Sequence, residues 1–211
     1  MNRLTKTSQR TYTSGVVKKA NDRNKGGEVM KNNSIKTVVA VGIGAALFFV
    51  LGRFVAIPSP VPNTNISLQY AVLALLAAMY GPIAGGLIGF IGHALIDLSW
   101  GGSPWWSWVI TSAFVGVVIG LFAKKLNVQE GVFDKTKTAI FAIANVAAHA
   151  IGWVVVAPVL DILIYAEPAN KVFAQGVFAA VSNSVTGVIV GGLLIVAYTK
   201  TIAKKGSLDR E

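Results

Sequence analysis

Residues 66–98 read Ile66-Ser-Leu-Gln69-Tyr-Ala-Val-Leu-Ala-Leu-Leu-Ala-Ala-Met-Tyr80-Gly81-Pro82-Ile-Ala-Gly-Gly-Leu-Ile-Gly-Phe-Ile-Gly-His93-Ala-Leu-Ile-Asp97-Leu98. The run is apolar almost throughout, but Tyr80, Gly81 and Pro82 place a turn in its middle. Proline lacks a backbone donor, and glycine takes backbone angles that other residues avoid. Reading the turn as a break makes two short membrane crossings, Ile66–Tyr80 and Pro82–Leu98. Working outward, a bilayer core about 30 Å thick needs roughly 20 apolar residues per helical crossing. Four further stretches meet that demand: Ile35–Ile57, Pro104–Lys124, Lys137–Leu160 and Val172–Thr201. The expectation is an all-α integral membrane protein of six transmembrane helices.

An even number of crossings puts both ends of the chain on one side, and the charges agree. Of 19 Lys and Arg residues, all but Arg53 and Lys171 precede or open the first helix, lie in the connection around Lys124, Lys125, Lys135 and Lys137, or end or follow the last helix. The positive-inside rule then makes both termini cytoplasmic. Residues 1–30 read as a polar, basic extension expected to be disordered, residues 31–203 as the membrane domain, and residues 204–211 as a cytoplasmic tail. No apolar run in residues 1–29 has signal-peptide length, and Met30 offers an alternative start.

A formal net charge of +10 in a soluble protein would suggest nucleic acid. Here it sits in tails and one loop beside apolar helices, so anionic headgroups explain it and no recognition fold accompanies it. With no Cys, disulfides, thiolate catalysis and Cys-ligated metals are excluded. No phosphate-binding loop, H-E-x-x-H or G-x-S-x-G motif occurs. No metal or other cofactor is expected. An intramembrane hydrolase built from His149 with Ser182 or Ser184 is a remote alternative. An ion-coupled secondary transporter is another, disfavoured because the helices lack a mid-membrane carboxylate.

Polar residues inside the helices cost free energy unless paired or wet. On the six-helix topology they gather toward the outer half. His93 and Asp97 sit one turn apart at the outer end of the third helix. Asn145, His149 and Trp153 stand at spacing four on the fifth, and Gln175 and Asn183 lie on the sixth. Gln69 opens the second helix. One outer loop contributes Asn63 and Asn65 from a Pro-rich stretch; the other contributes Trp105 and Trp108 from Ser99-Trp100-Gly-Gly-Ser-Pro104-Trp105-Trp106-Ser-Trp108. The candidate ligand-binding residues are therefore Asn63, Asn65, Gln69, His93, Asp97, Trp105, Trp108, His149, Trp153, Gln175 and Asn183, in an outward pocket suited to a planar, partly polar small molecule. Small residues along Ala40-Val-Gly42-Ile-Gly44-Ala45-Ala46 permit close helix approach, and Ala40, Gly44 and Ala45 are the candidate partner-docking positions.

Together the six-helix plan, the small-residue first helix Thr37–Arg53, the loop Ile57-Pro-Ser-Pro-Val-Pro-Asn-Thr-Asn65, and the segments Gly89–Asp97 and Gly102–Trp108 resemble a known class. They are similar to the substrate-binding membrane subunits, or S components, of energy-coupling factor (ECF) transporters, in the branch named for riboflavin. The resemblance spans about residues 31–200. It implies capture of a vitamin outside the bacterial cell membrane, association with a transmembrane coupling protein and two ABC ATPases, and delivery by toppling within the bilayer. It implies no enzymatic activity in the chain itself. The family's docking motif maps onto Ala40 and Gly44, with Gly in place of the second Ala. Its pocket maps onto Trp105, Trp108, His149, Trp153, Gln175 and Asn183. Riboflavin suits a Trp-rich slot with amide partners; cobalamin, a hydroxymethylpyrimidine or a methionine precursor remain open. With Arg53 and Lys171 the only bases nearby, folate and other polyanions are disfavoured.

Overall fold

The computed structural model describes the backbone of residues 34–208 and the side chains through Ile202. The extension expected over residues 1–30 lies outside the described residues. The chain divides between Val39 and Ala40. Of the first unit, residues 34–39 begin helix α1 (Ser34–Phe54); the second unit holds the rest of α1 and every other element.

Apart from its loops and a two-residue antiparallel ladder, the described chain is helical. The ladder pairs β1 (Ile57–Pro58) with β2 (Asn65–Ile66), Ile57 opposite Ile66. Next come α2 (Gln69–Leu98), α3 (Trp106–Gly120) and the short α4 (Ala123–Leu126). Helix α5 (Lys135–Ile151) runs through a π-turn at Gly152–Val156 into α6 (Ala157–Tyr165). In the same way α7 (Ala169–Thr186) passes through a π-turn at Gly187–Gly191 into α8 (Gly192–Leu208), so the expected tail begins as helix. Among the described residues, five helical segments are long and apolar enough to cross a membrane: Ser34–Phe54, Gln69–Leu98, Trp106–Leu126, Lys135–Tyr165 and Ala169–Ile202.

The difference from six arises at α2, which is bent back on itself. Gly81 has φ 86 and ψ −173, outside the helical region, and Pro82 comes directly after it. Along a straight helix Tyr70 and His93 would stand about 34 Å apart; instead Tyr70 Oη lies 3.4 Å from His93 Nδ1. The helix is therefore a hairpin of two antiparallel arms, 69–80 and 82–98. Neither arm reaches the roughly 20 residues of a straight crossing.

Close backbone approach holds the second arm against α3. A Cβ on Gly85 would fall 2.3 Å from Gly116 O, and one on Gly116 would fall 2.1 Å from Gly85 O. Any side chain at either position would wedge the helices apart, which fits the reliance of apolar helices on small residues for packing. Phe48, Leu73, Ile88, Ile119, Phe141, Trp153 and Ile195 fill the space between the helices.

Pro158 explains the first π-turn. It removes the N–H that would bond one turn back, and the chain widens over Gly152–Val156 just before it. The ends of the bundle differ in character. Lys124 and Lys125 come after α3 and Lys135 opens α5. That loop is fastened to the Tyr80 turn by Gln129 Nε2, which donates to Met79 O at 2.7 Å. The opposite end, some 22 Å away along α3, carries the ladder, the tryptophans and a cavity.

Candidate ligand site

The cavity, about 460 Å³, lies between the end of α1, the ladder, the ends of both α2 arms remote from Gly81, the start of α3, and the α5–α6 and α7 rods. Its rim is made rigid locally. Pro58, Pro60 and Pro62 restrict the loop, and Asn63 takes the left-handed φ of 58 that asparagine tolerates. Ser59 and Thr64 bond across the loop, with Thr64 Oγ1 donating to Val61 O at 2.6 Å. Gln175 Nε2 then ties the loop to α7 by donating to Pro62 O at 2.9 Å.

One wall is tryptophan held by a carboxylate. Asp161, on α6 and 2% exposed, accepts from Trp105 Nε1 at 2.6 Å and from Trp108 Nε1 at 2.9 Å. Ser107 Oγ donates to it as well. Two indoles and a hydroxyl thus converge on both oxygens of one side chain. The Trp105 ring also stacks on Tyr165 with centroids 4.0 Å apart, and Trp108 leans on Trp153 at 5.0 Å. With their N–H groups fixed in this way, both rings still contribute to the cavity lining. Above them Trp100, 67% exposed, lies under the guanidinium of Arg53 at 3.8 Å.

Across the cavity a polar chain joins both α2 arms to α3. Ser112 Oγ lies 2.7 Å from Tyr70 Oη and 2.6 Å from His93 Nδ1. His93 Nε2 lies 3.7 Å from Asp97 Oδ1, and Asp97 Oδ2 accepts the backbone N–H of Trp105 at 2.8 Å. Ser, His and Asp in sequence suggest a nucleophile, but Ser112 is fully buried and outside the lining. Its hydroxyl cross-links helices.

The α5–α6 ridge grades from cavity to core. Trp153 reaches the lining from within the π-turn. One turn deeper, His149 accepts the Trp153 Nε1 proton at its Nδ1, 3.0 Å away. Deeper still, Asn145 abuts Gly187, where a Cβ would fall 2.6 Å from its Oδ1. His149 Nε2 and both Asn145 amide atoms have no partner among the described residues. On α7, Gln175 and Asn183 line the cavity, each 5% exposed.

Ten of the eleven candidate residues therefore surround one space: Asn63, Asn65, Gln69, His93, Asp97, Trp105, Trp108, Trp153, Gln175 and Asn183. His149 is the exception, sealed behind Trp153. Nor does it meet Ser182, whose hydroxyl bonds to Ala179 O. Sequence reasoning missed Tyr70, Asp161 and Glu167, and it set Trp100 and Lys171 beside the pocket without counting them among its residues; all five are in the lining. A signal for Asp161 was present: an acid amid α6's apolar residues needs donors, and indole N–H groups are donors only.

The three candidate docking positions, Ala40, Gly44 and Ala45, are buried. Ala40 and Ala45 are 8% and 4% exposed, and a Cβ on Gly44 would fall 2.6 Å from Leu76 and 2.7 Å from Ile88. Gly44 thus packs against the chain's own α2. Gly42 and Ala46, one face over, are exposed.

The sequence places the chain with one family over most of its length. The description "ECF-type riboflavin transporter, S component" matches residues 32–200. The chain belongs to this S-component family. It is also similar to a UPF0397 protein of Exiguobacterium sp., 56% identical over 182 residues that cover 86% of this chain and 100% of that one. A UPF0397 protein of Clostridium perfringens is 53% identical over 184 residues (86% and 100%), and one of Lactococcus lactis subsp. cremoris is 50% identical over 185 residues (88% and 98%). As an S component with five long apolar helices among its described residues, the chain is a multi-pass transmembrane transport protein that binds a substrate in vitamin uptake.

Proposed function

We propose that this S component captures a vitamin or vitamin precursor from outside the cell and delivers it with a transmembrane coupling protein and two ABC ATPases. The observation that carries the reading is the cavity: four tryptophans around about 460 Å³, with Asn183 buried in its lining and its amide unpartnered among the described residues. Such a space suits a ring that stacks and hydrogen-bonds at its edge. Riboflavin, the vitamin in the family's description, has that form.

Counting the two arms of α2 separately gives six passages through the bilayer, with both termini cytoplasmic. The cavity end then faces outward, since the lysines after α3 and before α5 mark the inner side. Small lateral exposure of charge suits a bundle that moves in lipid. The partner surface in this reading is the outward face of α1, where Gly42 and Ala46 leave room for close approach.

Gentle purification and then mass spectrometry of the co-purifying small molecule tests capture, with saturable quenching of tryptophan fluorescence as its measure. Uptake in cells expressing the chain with the coupling protein and ATPases tests delivery. Uptake that persists without the ATPases and tracks an ion gradient would replace this reading with a secondary carrier.

A further inference from the structure

The charges around the cavity do not balance. Three carboxylates line it, Asp97, Asp161 and Glu167, against one ammonium, Lys171. Lys171 is engaged by Glu167 at 2.7 Å. Asp161 gives both oxygens to the two indoles and Ser107. Asp97 is different. Its Oδ2 takes one backbone N–H, its Oδ1 has only His93 Nε2 at 3.7 Å, and its side chain is 19% exposed. No Lys or Arg pairs with it among the described residues. Arg53, the other cation at this end, lies on the Trp100 ring and is not in the lining.

Two amides point the same way. The Asn183 side chain has no partner among the described residues, and Gln175 uses Nε2 on Pro62 O while its Oε1 has none. Both are 5% exposed and in the lining. The Asn183 amide, Gln175 Oε1 and Asp97 Oδ1 belong to lining residues, and their three oxygens offer acceptors to a ligand rich in donors. The indole faces around them attract positive charge as well.

We propose that the cavity selects a flat nitrogen heterocycle carrying a protonated amine or a cationic ring, and discriminates against the same ring bearing phosphate or carboxylate. This rests on the S-component reading, adds the charge of the ligand to it, and sets neutral riboflavin behind a cationic ring as the favoured occupant. The cation sits beside Asp97, its N–H edge faces Asn183 and Gln175, and the ring packs on tryptophan. An anion in the same place would meet three carboxylates and a lysine already paired.

Titration of the purified full chain by tryptophan fluorescence decides the matter. The matched series is 4-amino-5-aminomethyl-2-methylpyrimidine (cation), its 5-hydroxymethyl counterpart (neutral) and the phosphate ester of the latter; thiamine and thiamine monophosphate form a larger pair. The expected result is at least about tenfold tighter binding of each cation than of its neutral or phosphorylated partner. In Asp97→Asn, which keeps an acceptor for the Trp105 N–H, the cation-to-neutral ratio should collapse to within about twofold. If that variant does not fold, the wild-type series decides alone. Failure of both cations to bind, neutral or phosphorylated rings binding as tightly, or an unchanged ratio in Asp97→Asn overturns the proposal. Those outcomes leave S-component function standing if the chain still assembles with the coupling protein and ATPases; loss of that assembly defeats the broader reading whatever the ligand's charge.

Discussion

Replacing Asp161 by asparagine changes few atoms and should disturb the whole tryptophan wall. Three donors converge on two carboxylate oxygens: Trp105 Nε1 at 2.6 Å, Trp108 Nε1 at 2.9 Å, and Ser107 Oγ. An asparagine has one acceptor oxygen. It can face Trp105 and Ser107, or Trp108, but its NH2 group must then point at a donor. At least one hydrogen bond to a charged acceptor is lost, about 1.5–3 kcal/mol, and a buried indole N–H is left unsatisfied, about 1–3 kcal/mol. A net cost of about 3 kcal/mol corresponds to a fall in Tm of about 6–12 °C for a chain of this size. Thermal melting in detergent measures it, and near-UV circular dichroism reports the loosened indoles. Adding Trp108→Phe removes the stranded N–H and should restore part of the loss, a coupling of about 1–2 kcal/mol. A Tm within about 1 °C of wild type would refute the claim that Asp161 holds the wall.

Asn183→Ala should weaken ligand binding about tenfold without lowering Tm, because the amide has no protein partner to lose; a matched fall in Tm would mean the residue is structural. For His149→Ala the order reverses. Truncating a side chain sealed behind Trp153 should cost about 2–4 kcal/mol by melting, and binding should change only as Trp153 moves. Gly85→Val places a side chain where Gly116 O already lies 2.3 Å from any Cβ, and should destabilise by about 1–3 kcal/mol or more. On α1, Gly44→Leu should impair folding through Leu76 and Ile88, whereas Gly42→Leu, with nothing within 4 Å, should spare folding and ligand binding and reduce co-purification with the coupling protein. Intact assembly in Gly42→Leu moves the docking surface elsewhere.

The properties carried by neighbours in sequence could be read from the chain alone. Apolar length marks each rod, and Gly81-Pro82 marks the reversal inside α2, because a missing donor and a positive φ act within one or two residues. The ring-and-amide character of the site was legible too, since polar groups in an apolar helix need a reason wherever they point. Facing and depth were not. Alanine and glycine occur on both sides of α1, and only the packing of Leu76 and Ile88 shows that Gly44 looks inward and Gly42 outward. Spacing four put His149 and Trp153 on one ridge, but the depth of each along it is set by α7, whose Gly176 abuts the Trp153 carbonyl. Asp161 stands more than fifty residues from the indoles it holds, and that meeting exists only once α3 and α6 lie side by side. Contacts between distant segments depend on where whole helices pack, and no local pattern of residues encodes that.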